Sequence, residues 1–162
     1  MLADQLRWTI TRLRDAAFVL GTDGGLTADS GRNASLPEVI ERVDADPPRV
    51  TGDPDHLVTI FSAFLRYAGR SGSTSGPVRI QVGDSNGAVD ALIIDCGPTV
   101  DRARRANLLK PNRRVTAADR DDVDLLMGIR LARDLNADVA LDDTPGGGLT
   151  VELRLAAAPR SP

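Results

Sequence analysis

The chain has 162 residues, 41% of them hydrophobic and 27% charged, with a formal net charge of -3. That suits one globular domain with a sizeable core plus a short appendage, and argues against a second domain or a strongly basic nucleic-acid-binding face. With aromatic residues at 3% and Cys96 the single cysteine, an aromatic-rich β-sandwich, an intrachain disulfide and a cysteine zinc cage are all excluded.

In chain order, Leu2, Leu6, Ile10, Leu13, Ala17 and Leu20 recur at spacings of three and four residues and predict an amphipathic helix. Its stripe suits either packing on the domain behind it or pairing with a second copy across residues 2–20. Residues 21–34, rich in Gly, Ser, Asp and Asn, read as a linker. Ser35-Leu36-Pro37-Glu38 has the form of a capping box and predicts a short helical turn. Arg49-Val50-Thr51 follows as a short strand. Asp53 as N-cap and Pro54 at the first helical position then open a helix to about Gly69, with Leu57, Ile60, Phe61, Phe64, Leu65 and Ala68 on its buried face.

Ser71 to Pro77 connects to alternating Val78, Ile80 and Val82, a half-buried strand. Asn86-Gly87 predicts a tight hairpin returning through Ala91-Leu92-Ile93-Ile94 to Asp95. A short helix is expected around Asp101–Leu109. A longer one is expected near Val123–Leu135, burying Val123, Leu126, Met127, Leu131 and Leu135. Val139–Leu141 and Leu149–Leu155 form a last hairpin across Gly146-Gly147-Gly148. The expected fold is an α/β (α+β) two-layer sandwich: a mixed, mostly antiparallel sheet with helices on one face, plus the N-terminal helix. The domain is expected at 35–156, with helix and linker at 1–34 and a disordered tail at 157–162.

Three stretches in this order carry a resemblance: the helix opened by Asp53-Pro54, the turn Asp95-Cys96-Gly97-Pro98-Thr99 after an apolar strand, and the glycine run before the last strand. Together they resemble the ATP-binding domain of the GHKL superfamily, in its histidine-kinase branch. The likeness covers roughly Asp53 to Leu155. More loosely, the N-terminal helix and linker are similar to the second dimerisation helix and connector of actinobacterial sensor kinases. The resemblance implies a Bergerat-type sandwich in two-component or anti-sigma signalling, with Asp95 accepting a hydrogen bond from an adenine amine and Gly97 letting backbone approach the nucleotide.

Several positions depart from that pattern. The two asparagines of the family's magnesium-binding helix align with Ala63 and Tyr67, neither a suitable oxygen ligand. The second glycine of the aspartate motif is Thr99. The glycines of the phosphate lid become Asp122 and Asp124, with Asp119 and Asp121 nearby, so a triphosphate would meet like charge. The same acids would also complement a helix N-terminus. Leu149 holds the family's threonine position, with Thr150 one residue late and so on the opposite strand face. His56 is the single histidine and lies on the domain's own helix. The usual autophosphorylation is therefore not expected.

The expected function is a degenerate, non-catalytic binding module of bacterial signal transduction, with no cofactor. The alternative is a functional ATP-binding subunit of a split sensor kinase, using ATP and magnesium. Arg102, Arg104, Arg105, Lys110, Arg113 and Arg114 form a basic segment suited either to simple solvation or to an acidic partner. A kinase, response regulator or sigma/anti-sigma component is the expected partner class, without nucleic acid. No apolar run approaches the roughly 20 residues that cross a bilayer and no signal-peptide pattern starts the chain, so a cytoplasmic setting is expected.

Overall fold

The computed structural model describes residues 39–43, 50–72 and 76–157. In chain order they form β1 (Val39–Val43), α1 (Pro54–Gly72), β2 (Val78–Ser85), β3 (Ala88–Ile94), α2 (Arg102–Leu108), a 3-10 turn (Ala117–Asp122), α3 (Val123–Asp134), β4 (Asp138–Asp143) and β5 (Leu149–Ala156). The strands make one sheet of order β1-β2-β3-β5-β4. β1 runs parallel to β2, and every other neighbouring pair is antiparallel. The expected N-terminal helix, the linker, the capping box and most of the tail lie outside the described residues, as does the boundary between residues 34 and 35.

Where the capping box predicts a helical turn, Val39–Val43 is instead a strand, in register from Val39↔Val78 to Val43↔Val82. Val39, Ile40 and Val43 are β-branched, and ladder pairing with β2 outweighs a local capping signal. Of the short strand expected at Arg49–Thr51, Arg49 lies outside the described residues and Val50 makes an isolated bridge with Ala157. α1 begins as expected: the Asp55 N–H donates to Asp53 Oδ1 at 3.0 Å. It continues past Gly69 to Gly72. Of the apolar residues read from spacing, Leu65 is only partly buried and the others are buried, and the helix also buries Ala63 and Tyr67.

Alternation sets the layers. Val78, Ile80, Val82, Val89, Ala91, Ile93, Val151 and Leu153 are buried, while their chain neighbours are half-buried or exposed, so one sheet face meets the helices. The hairpin between β2 and β3 turns at Asn86 and Gly87, with φ of 51° and 80°, the left-handed pair that a tight two-residue turn requires. α3 is rotated from the expected face. Val123 and Met127 are exposed, Leu126, Leu131 and Leu135 are only partly buried, and Leu125, Gly128, Ile129 and Ala132 point inward. The cause is close packing on α1: a Cβ on Gly128 would come within 2.5 Å of the Phe64 ring, so this glycine is the notch that admits Phe64.

Candidate functional site

β3 delivers Asp95 into the protein, where it is 2% exposed. Its Oδ1 accepts two backbone N–H groups, from Gly97 at 2.8 Å and from Leu149 at 3.0 Å. Ser71 Oγ lies 3.5 Å from Oδ2 but only 2.7 Å from the Tyr67 carbonyl oxygen. Its single proton favours the shorter contact, so Oδ2 is the less satisfied oxygen. Burial pushes the Asp95 carboxyl above the usual carboxylate range, against the opposing pull of the two amides and Ser71.

Two glycines make this arrangement possible. A Cβ on Gly97 would sit 2.5 Å from the Ser71 carbonyl oxygen, so the end of α1 is pressed against the turn. Gly148 has φ +113°, and a Cβ there would sit 2.2 Å from the Asp95 carbonyl oxygen. A Cβ on Gly147 would lie 3.4 Å from the Gly97 carbonyl oxygen and 4.0 Å from Thr99 Oγ1. The aspartate turn, Thr99 and the glycine turn therefore meet at one place, although some 50 residues of chain separate them.

Ala63 and Tyr67 lie one helical turn apart on the buried face of α1, at 0% and 6% exposure. Burial, then the charges of Asp122 and Asp95, push the Tyr67 hydroxyl up to about 12, with Arg104 and Arg70 pulling the other way. Tyr67 is thus neutral at ordinary pH and within electrostatic reach of both carboxylates.

The acids around the start of α3 are not bare. Arg104 Nη2 donates to both oxygens of Asp122, at 3.0 and 2.8 Å. Asp124 is met by Arg66 Nε at 3.3 Å and Arg70 Nη1 at 2.6 Å. Asp119 accepts from Arg113 and from the N–H and hydroxyl of Thr116, at 2.7 and 2.8 Å. The simple like-charge repulsion expected from the sequence is therefore corrected: three of the four aspartates have cationic partners, and only Asp121 is exposed. Asp122 makes no side-chain capping bond, so its ion pair, rather than the helix start, occupies its side chain.

The same pairs divide the basic segment. Arg104 and Arg113 are turned to Asp122 and Asp119, and Arg105 to the Val100 carbonyl oxygen and Asp143. Arg102, Lys110 and Arg114 are exposed, and their side chains have no partner among the described residues. Sequence reasoning missed Arg66 and Arg70. Their one-turn spacing on α1 was the available signal, but nothing local shows that they meet Asp124.

Leu149 is 1% exposed, and its side chain joins the core. Thr150, on the other strand face, exchanges a hydrogen bond with Thr144 Oγ1 at 3.0 Å. His56 is exposed on α1.

Magnesium-bound nucleotide, which the resemblance implies for an active member, does not fit the α1 residues present. Ala63 carries no oxygen, and Tyr67 presents a buried neutral phenol where a hard cation requires an anionic or carbonyl oxygen. Among the described residues no group of three or more His, Cys, Asp or Glu side chains stands together as a metal site.

The helix-backed mixed sheet has the fold of solved histidine-kinase catalytic domains. Full-length ShkA, solved in complex with AMPPNP, superposes with a TM-score of 0.70 at 19% identity, covering 99% of this chain and 31% of ShkA. The chain thus spans about a third of ShkA. The mycobacterial sensor histidine kinase MprB gives 0.65 at 15% identity over 98% of this chain and 97% of that one. The nucleotide-free catalytic domain of histidine kinase ThkA gives 0.58 at 11% identity over 93% and 95%. No protein-family model matches the chain, and no curated protein matches it by sequence. Among the described residues no helix is long and apolar enough to cross a membrane.

Proposed function

We propose that this histidine kinase-like ATPase domain is degenerate and works by binding rather than by catalysis, as a regulatory module in bacterial signalling of the two-component or anti-sigma type. One observation carries the reading: the α1 face that should grip magnesium presents buried Ala63 and neutral Tyr67. The paired Asp122 and Asp124 at the start of α3 support it, because carboxylates held by arginines stand where the resemblance implies a glycine-rich phosphate cradle. The signalling context rests on likeness of fold. Calorimetric titration of the full chain with ATP, with and without magnesium, tests the reading. No magnesium-dependent heat is expected, and tight magnesium-dependent binding would overturn it.

A second reading has its own support in Asp95. The less satisfied Oδ2 is a buried acceptor of the kind an adenine amine would use, and ShkA was solved with AMPPNP. In that reading the chain is the ATP-binding subunit of a split kinase. It predicts phosphotransfer from labelled ATP to a histidine on a partner protein, abolished in Asp95→Ala.

A further inference from the structure

Three large hydrophobic side chains stand exposed among the described residues: Val115 at 58%, Val123 at 44% and Met127 at 38%. All three line one open groove of about 950 Å³, between the turn that follows α2 and the outer face of α3. Its floor is apolar, with Leu108 and Ile129 nearly fully buried beneath it. Asp95, Gly97, Tyr67 and Asp122 do not line it. Apolar side chains gathered in one depression, rather than scattered over a surface, mark an interaction site.

Charge decides what the groove suits. Five cationic side chains line it against one acid, Asp134, in a protein whose net charge is -3. Arg113 is held by Asp119, and Arg133 donates to the Leu109 carbonyl oxygen. Lys110 and Arg114 on the turn wall and Arg130 on the helix wall are exposed and unpaired among the described residues. Apolar floor and cationic rims together fit a helix whose apolar side chains recur at every third or fourth position and whose flanks are acidic. A free phosphate would leave Val115, Val123 and Met127 unused. The walls are helix and turn, so no strand edge is offered to an extended peptide.

We propose that this groove is a docking site for an acidic amphipathic helix of a partner protein. The inference deepens the binding role proposed above and rests on it. It also relocates the docking surface: Arg104, Arg105 and Arg113 are committed within the domain, while Arg130, Val123 and Met127 join Lys110 and Arg114.

The test uses the full chain and a fluorescein-labelled synthetic peptide of about 18 residues, roughly five helical turns, with Leu on one face and Glu on the other. Anisotropy should show binding that weakens as salt is added. K110E/R114E/R130E and V123D/M127D should each weaken binding at least about tenfold. The same peptide with Lys in place of Glu should not bind. On the unaltered protein, amide shifts should cluster at 108–115 and 123–134, a readout independent of how the variants fold. Four results would overturn the proposal: no binding of the acidic peptide, equal binding of the Lys peptide, displacement by inorganic phosphate alone, or self-association of the chain through this face. Magnesium-dependent ATP binding mapped to Asp95 would defeat the non-catalytic reading instead, with the peptide shifts still marking the groove.

Discussion

Arg104 clasps Asp122 through both carboxylate oxygens, at 3.0 and 2.8 Å, and so ties α2 to the residue that precedes α3. Asp122 is buried and Arg104 half exposed, so the arginine is well screened by water while the carboxylate depends on it. Arg104→Ala should cost about 1 kcal/mol, below the usual value for a charged hydrogen bond because of that screening. In an Asp122→Asn background the same substitution should cost measurably less. Urea unfolding of the two singles and the double checks this, and additive losses would show that the two side chains do not communicate.

Tyr67 is the single tyrosine of the chain, so tyrosinate absorbance during alkaline titration reports on it alone. The midpoint should lie near 12 rather than at the ordinary 10.0. Because ionisation is disfavoured in the folded state, stability is full below the unfolded value and is lost as pH rises from about 10 towards 12. Asp122→Asn should bring the midpoint down, since it removes the larger of the two opposing charges and frees Arg104.

Gly148 and Gly146 both have positive φ, at 113° and 92°, but only Gly148 is crowded, with the Asp95 carbonyl oxygen 2.2 Å from a Cβ. Gly148→Ala should lose about 2–3 kcal/mol through clash and backbone strain together, whereas Gly146→Ala should lose only about 1 kcal/mol. Thermal unfolding compares the pair. Equal losses would mean that backbone strain alone governs the turn.

Asp119 behaves oppositely to Tyr67. Its hydrogen bond from Arg113, followed by those from Thr116, holds its carboxyl at about 2, below the ordinary 3.8. The stability it contributes is complete above the unfolded value and fades as pH falls through the folded one. Asp119→Asn should therefore lower the urea midpoint near neutral pH. The gap to the unaltered protein should close between about 3.8 and about 2.

The sequence was readable wherever the signal was local. Asp53-Pro54 with a long apolar stripe marked α1, alternation marked β2, Asn86-Gly87 marked the hairpin that returns as β3, and the glycine run marked the last hairpin. Reading failed where distant partners decide. Val39–Val43 becomes a strand because β2 lies beside it, and the Ser35–Glu38 pattern carries no trace of that neighbour. α3 offers two apolar stripes, and Phe64, far back in the chain, selects the one containing Gly128. At the site, the aspartate turn and the glycine turn that meets it could be named in advance. The arginine partners could not, because Arg66 lies 58 residues from Asp124 and composition records charges without saying which ones meet.

The placement of Leu149 bears on whether a hydroxyl could be brought to this position beside Asp95. Its N–H holds Asp95 while its side chain belongs to the core, and Thr150 pairs across the sheet with Ile94 on one side and Asp142 on the other. Moving a threonine into line by deleting one residue would slide the whole final strand by one step, and point replacement would bury a polar group among aliphatic neighbours. Neither route is short, so the register of the final strand is what keeps a hydroxyl out of line with the Asp95 carboxylate.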